Sequence, residues 1–467
     1  LNTTNFGVCL SPNATIGSGG VQLPRIAILD IGPSSSGLIS LLKEALPPDR
    51  QHEVAYERLR MIPEHAINPF DTQLGCRIPL PLERSFLVNF LTALGTPVGD
   101  TKPPNSLPEI AGVAIDEVYK LLDDRNPKGH PRVYVPGDDR KVDNAVASYN
   151  LTVEDDTTWW DIVDRLYQRG AVYEAMLAQR YAVPRLEDLG SIIAMPQITD
   201  IYGQAKTDNG EPVVSVFQRL VSSSLRDYKI LSMPTRFDVS AARVVSLDLD
   251  EVAPRGGGAS DRQTAIMYML ARFVLARDFY LNEEIVTLMP EDYRDYHQRR
   301  IQRIRETPKR LVYDEFHRTK SAASVRDQVV IDIREGRKWN VQVTLASQLF
   351  EDFDSNMVDM ATGIWILGLS NEASIDGVAQ VFNLSDTAKQ IIRRDVRGPT
   401  PKGAPFFVVL NMKDGQHEHL LYNTLSGVEA WAFSTTAEDA QIRNRLYSRL
   451  GAIEARRRLA IRFPLGS

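Results

Sequence analysis

Arg310-Leu311-Val312-Tyr313-Asp314-Glu315 is a run of apolar residues that delivers two adjacent acids at its end. Read as a strand, it places both carboxylates where the chain leaves a sheet. Asp314 then suits Mg²⁺, held directly or through water, and Glu315 suits the polarising of an attacking water. The two roles are separate because a metal neutralises charge on phosphate oxygens while a second carboxylate orients the nucleophile. Apolar strands ending in two acids are common without any such role, so the pair alone does not specify it.

Thirty-three residues beyond Glu315, a second apolar run, Val341 to Ala346, ends in Ser347 and Gln348. In an open α/β sheet, ligands sit beyond the carboxyl ends of the strands. A polar residue at the tip next to an acid-bearing strand can therefore sense a terminal phosphate and relay its loss. An exposed Gln at a strand end is otherwise simply solvated. Between the two strands lies Asp332-Ile-Arg334-Glu-Gly-Arg337-Lys338-Trp-Asn340, a charged helix end. Such side chains serve solvation or capping; in a ring of ATPases an arginine there can instead reach a neighbour's nucleotide. Arg337 is the first candidate and Arg394, in Ile391-Ile-Arg-Arg-Asp395, the second.

Upstream, Pro24 to Asp30 is another apolar run ending in an acid, followed by the turn-rich IGPSSSG and the helical pattern GLISLLKEAL. Similar runs recur at Arg132 to Val135, Arg243 to Leu249, Ile364 to Leu369 and Pro405 to Asn411. Strands alternating with helices predict an α/β fold, a mostly parallel sheet covered on both faces. Long helical patterns from about Asp155 to Thr307 predict an inserted helical subdomain, opened by a cap within Asp156, Thr157 and Thr158. The expected division is residues 1–150 and 307–436 as two parts of one core, 151–306 as the helical insertion, and 437–467 as a C-terminal basic helix. That last helix carries Ile442, Leu446, Leu450 and Ile453 on one face and seven arginines between Arg443 and Arg462. It reads as a surface helix packed on the core, or as a contact for a neighbouring subunit or a membrane surface.

Composition excludes several classes. With 43% hydrophobic and 24% charged residues, the 467-residue chain has the material for a large core and a further domain. A formal net charge of −6 gives no general attraction to nucleic acid or anionic lipid. Two cysteines, Cys9 and Cys76, make no disulfide framework and suit a reducing cytosolic setting. His65, His130, His317, His417 and His419 show no metal-ligand spacing. Apolar stretches such as Gly363 to Leu369 fall far short of the ~20 residues of a membrane span. Two Gly-rich pieces, IGSGG at 16–20 and GPSSSG at 32–37, lack the Lys-Ser/Thr of a phosphate-binding loop.

The order of pieces resembles the C-terminal ATPase domain of the large traffic ATPase of type IV secretion systems, the VirB-four class. The residues that carry it are AILDIG, NPF at 68–70 with ERSFLVNFLTAL, VYDEFH, REGRKWNVQVTLASQ and WAFSTTAEDAQIRNRL. The run LPRIAILDIGPSSSGLISLLKEALP looks most like the IcmB, DotO or TraU branch. The resemblance spans about residues 1 to 450. It implies a RecA-like motor that uses ATP and Mg²⁺, acting as a hexamer or dimers of it at the cytoplasmic face of the bacterial inner membrane. Its implied partners are other secretion ATPases, inner-membrane components, and an exported protein or a transferred DNA complex as cargo. On matching positions Asp314 and Glu315 take the acidic pair, Gln348 the sensor, and Arg337 falls in the family's arginine segment. The family's GxxGxGKS/T loop is missing. Since LNTTNFGVCLSP looks like the helix that follows that loop, the loop is expected immediately before Leu1, and the chain by itself is expected to bind ATP poorly. Competing readings are a DNA-translocating coupling protein or HerA/FtsK-like ATPase, disfavoured by the acidic net charge, and an assembly scaffold without turnover, disfavoured by the intact acidic pair.

Overall fold

The computed structural model describes residues 1–10, 22–100, 102–320, 322–369 and 371–464. The IGSGG stretch at 16–20 lies outside these residues. Five strands make a fully parallel sheet: β1 (Arg25–Asp30), β2 (Val54–Arg58), β3 (Val244–Asp248), β4 (Lys309–Tyr313) and β5 (Val341–Leu345), in the order β2-β3-β1-β4-β5. The apolar runs form strands because side chains alternate between two buried faces. Ile26, Ile28, Val244 and Val312 pack on one face against the helix Ser36–Ala45, through Leu38, Ile39 and Leu42. Ala27, Leu29, Leu247, Leu311 and Tyr313 face the other way, into the main core of helices that includes Pro81–Gly95, Leu107–Leu122 and Gly258–Ala276. This is the α/β architecture with both faces covered that the sequence predicts.

Several elements differ from expectation. Arg132 to Val135 forms no strand; only an isolated bridge joins Val133 to Thr158, and both Val133 and Val135 point to solvent. The helical region is wider than 151–306, starting with Pro81–Gly95, and β3 threads through the span to take a place inside the sheet. The cap at its expected start is Thr158, whose hydroxyl accepts from the Asp161 N–H while Asp161 reaches back to the Thr158 N–H. The run at Ile364 and that at Pro405 leave the parallel sheet altogether. As β6 (Gly363–Ile366) and β7 (Ala404–Met412) they join β8 (Gly415–Asn423) in a separate antiparallel sheet.

The C-terminal segment is two helices, Ala437–Leu450 and Ala452–Arg462, broken at Gly451, whose φ of 75° a residue with a side chain rarely adopts. Ile442 and Ile453 of the expected apolar stripe are exposed. What docks the second helix is Arg456, fully buried and paired with Glu44 while donating to the Ser40 hydroxyl.

A buried ion pair fixes the helix behind β4. Arg272 donates to both oxygens of Asp332, at 2.6 and 3.2 Å, and Asp332 also accepts from the Tyr313 hydroxyl and the Gln328 amide. Asp332 is 1% exposed. Arg272→Met strands that carboxylate and is expected to cost about 3–5 kcal/mol in urea unfolding. A loss below about 1 kcal/mol would show that the pair does not hold the two helices together.

Candidate functional site

The parallel register sets three aspartates level at the carboxyl ends of neighbouring strands. Asp30 lies opposite Asp248, and Leu29 opposite Tyr313, so Asp314 comes next in line. The Asp314 N–H donates to the Leu29 carbonyl at 2.9 Å, continuing the ladder one step past β4. Like charges this close need donors between them, and the serines of GPSSSG supply them. The Ser34 hydroxyl contacts Asp30 Oδ2 at 2.6 Å and Asp314 Oδ2 at 3.1 Å. Ser35 gives Asp30 Oδ2 both its N–H, at 3.1 Å, and its hydroxyl, at 2.6 Å. The Gly32 N–H donates to Asp248 Oδ1 at 2.9 Å. The N–H groups of Gly32 and Ser35 thus turn inward onto carboxylates, the reverse of a phosphate cradle. Gly37 ends the loop where a Cβ would meet the Ala432 carbonyl at 1.9 Å, so its glycine serves close packing.

Burial pushes the Asp30 carboxyl up to about 6, against the pull of Ser34 and Ser35. For Asp248 burial also acts upward, but the Asp250 N–H, Tyr56, the Gly32 N–H and Arg58 outweigh it and hold the group below its ordinary value. A carboxyl raised on folding contributes stability at acid pH that is lost as pH rises from about 4 through about 6. Relative to the parent, Asp30→Asn is therefore expected to gain on the order of 2 kcal/mol between those two pH regimes. Urea unfolding of both proteins across that range checks it; a constant difference would show that Asp30 does not titrate there.

Glu315 adopts φ 50° and ψ 42°, the left-handed region, at a cost of about 1–2 kcal/mol for a residue with a Cβ. The fold maintains it because the flanking Phe316 N–H is fixed to the Ala346 carbonyl at 2.8 Å, and Phe316 is buried. The result is a carboxylate at the tip of β4 facing the tip of β5. Gln348 Nε2 donates to Glu315 Oε2 at 3.3 Å, and His317 Nδ1 lies 3.4 Å from the same oxygen. Ser347 is engaged elsewhere, donating to Asp352 at 2.5 Å. The first helix, Asn2–Leu10, begins beside this group: Asn2 donates to the Ser34 carbonyl at 2.7 Å.

The structure thus places Asp314, Glu315 and Gln348 together. It places Arg337 and Arg394 elsewhere within the chain. Arg337 caps the helix Ala323–Gly336 just before β5 begins, on the order of 15 Å from Gln348 along the strand. Arg394 is exposed and paired with its neighbour Asp395 at 2.9 Å. Both were expected to act across a subunit boundary, and neither meets these carboxylates in cis. Sequence reading missed Asp30, Asp248, Ser34, Ser35 and His317 as members of the group. The signal for the first two was present: each ends an apolar run, as Asp314 does.

Among the described residues no three His, Cys, Asp or Glu side chains group as a metal cage. Mg²⁺ ordinarily takes one or two carboxylates and completes its shell with water and phosphate oxygens. Asp314, partly exposed at a strand end, fits that role without a cage.

No protein-family model and no curated protein matches the chain. Among solved structures, VirB4 of Thermoanaerobacter pseudethanolicus aligns over 87% of this chain and 83% of its own, at 15% identity and a TM-score of 0.49.

Proposed function

We propose that this chain is the RecA-like ATP-hydrolysing motor domain of a type IV secretion or conjugative transfer system, of the traffic-ATPase class and the IcmB/DotO/TraU branch. The observation that carries the enzymatic part is the Gln348 to Glu315 hydrogen bond across the tips of β4 and β5, beside Asp314. The assignment to secretion rests on the residues that resemble that family, VYDEFH and REGRKWNVQVTLASQ foremost.

Asp314 would hold Mg²⁺, which when bound neutralises charge on the phosphate oxygens. Ser34 keeps Asp314 in place by tying it to the buried Asp30. Glu315 accepts a hydrogen bond from the attacking water and takes up its proton as the water oxygen bonds to the γ-phosphorus and the bond from that phosphorus to the bridging oxygen breaks, with ADP leaving on that oxygen. Gln348, already bonded to Glu315, adds an amide beside the terminal phosphate, so that loss of the phosphate frees it to shift β5. Arg337 and Arg394 remain candidates for reaching a neighbour's nucleotide in a hexamer or in dimers of it. Such an assembly would work at the cytoplasmic face of the inner membrane, with other secretion ATPases and inner-membrane components as partners and exported protein or transferred DNA as cargo. No helix among the described residues is long and apolar enough to cross a membrane.

The test is phosphate release from Mg·ATP by the natural full-length protein, together with filter binding of single- and double-stranded DNA over a range of salt. Hydrolysis that stops on chelation of Mg²⁺, with weak DNA binding of shallow salt dependence, is the expected result. Absence of hydrolysis would favour an assembly scaffold. Tight DNA binding that falls steeply with salt would favour a DNA translocase.

A further inference from the structure

The turn that follows the acidic pair, Phe316–Thr319, is pinned at three of its four residues. Phe316 is buried, stacks on Phe353 and gives its N–H to the Ala346 carbonyl at 2.8 Å. Arg318 reaches across to the carbonyls of Ala253 and Pro254, at 2.6 and 3.2 Å, in the segment that follows β3. Thr319 is fully buried and closes the turn on the Phe316 carbonyl at 2.8 Å. Each of these side chains holds the frame together. The His317 side chain does not; it is 35% exposed and its ring lies against Glu315.

His317 Nδ1 is shut off from solvent and makes no hydrogen bond of full geometry; the polar atom it faces is Glu315 Oε2, at 3.4 Å. A lone pair on that nitrogen would point at a carboxylate oxygen and repel it. The proton therefore sits on Nδ1, whichever charge the ring carries. The same oxygen takes the Gln348 Nε2 amide at 3.3 Å. Both contacts are longer than the about 2.7–3.2 Å of a strong N–H···O bond, and contacts of this kind tighten as a substrate settles.

Two donors on one oxygen do what one cannot. The left-handed backbone at Glu315 sets where its side chain starts, but a long side chain held by a single contact still turns about that contact. A second donor on Oε2 fixes the plane of the carboxylate. Among the described residues no donor reaches Oε1, and with the Glu315 side chain 36% exposed that oxygen is left open to a water. A base misplaced by about an ångström can lose on the order of a hundredfold in rate, so the aim of Oε1 carries weight.

We propose that His317 is a positioning residue for the hydrolytic step: its Nδ1–H and the Gln348 amide together clamp Glu315 Oε2, so that Oε1 is the oxygen presented to the attacking water. His317 acts through Glu315. The inference rests on the reading of Glu315 as the base and adds to it the group that aims it.

Two substitutions separate the donor from the ring. In His317→Asn the side-chain amide offers an N–H near the place of Nδ1; in His317→Leu bulk remains and the donor is lost. Single-turnover hydrolysis of Mg·ATP, kcat and KM are measured in the natural full-length protein, for each substitution alone and together with Glu315→Gln. His317→Leu is expected to lower kcat by about tenfold or more with KM changed less than about threefold, and His317→Asn to stay within about threefold of the parent. In the Glu315→Gln background His317→Leu is expected to lower the remaining rate by less than about twofold, because the group it aims no longer takes a proton; a role confined to packing would lower it by the same factor in both backgrounds. Hydrolysis by the parent with His317→Leu unchanged, with His317→Asn as slow as His317→Leu, or with equal losses in both backgrounds would overturn this role and leave Glu315 as the base. Failure of the parent to hydrolyse Mg·ATP, or a Glu315→Gln protein as fast as the parent, would instead overturn the reading of Glu315 and this role with it.

Discussion

Glu315→Gln is expected to lower kcat for ATP hydrolysis by about 10²–10⁴-fold while changing nucleotide affinity less than threefold, on the order expected for loss of a general base. The substitution is nearly isosteric. The amide can keep a hydrogen bond across to Gln348 and can occupy the same left-handed backbone, so the tips of β4 and β5 retain their geometry. What disappears is the capacity to take a proton from water. Single-turnover phosphate release in the full-length protein separates this from slow product release. Equal rates above background in parent and variant would remove Glu315 from the chemistry, and rates at background in both would leave the scaffold reading in possession. A variant with a β-branched residue, Glu315→Val, is expected to be worse in a different way, since φ near 50° is poorly tolerated there and stability falls along with turnover.

How far the sequence could be read depended on whether a signal was local. β1, β3 and β4 each advertise themselves as buried apolar runs, β5 as a partly exposed alternation at the sheet edge, and the doubly covered sheet follows from them. β8, Gly-Gln-His-Glu-His-Leu-Leu-Tyr-Asn, is largely solvated and carries no comparable run, so the antiparallel sheet it completes was not foreseen. The converse error occurred at Arg132 to Val135, where two valines that look like a strand face outward beside a single bridge. At the site, Asp314, Glu315 and Gln348 were legible because strand ends and acids are adjacent in sequence. The Ser34 bridge from Asp30 to Asp314 was not, since it spans 280 residues and exists only through the β1–β4 register. Nor does any residue pattern reveal the left-handed turn at Glu315, which a contact between Phe316 and the end of β5 imposes.

That register also decides what a change at Asp314 should do. One Asp314 oxygen is shared with Ser34 and the other accepts the Glu315 N–H at 3.0 Å, so the side chain both anchors the strand tip and presents charge. Asp314→Asn keeps an acceptor for one of those contacts and an uncharged group for the other; Asp314→Ala removes both. If charge toward Mg²⁺ is what matters, both variants lose Mg·ATP affinity by at least about tenfold, or ~1.4 kcal/mol, and raised Mg²⁺ recovers it in part. If anchoring matters instead, Asn behaves as the parent and only Ala fails, with Glu315 released as well and kcat falling at saturating nucleotide. The equal loss in both variants is the expected outcome, because Ser34 remains bonded to Asp30 at 2.6 Å in either case and holds the loop without help from position 314. Equilibrium binding of Mg·ATP measured against Mg²⁺ concentration distinguishes the two, and a wild-type affinity in Asp314→Asn would exclude Asp314 as the metal's charge partner.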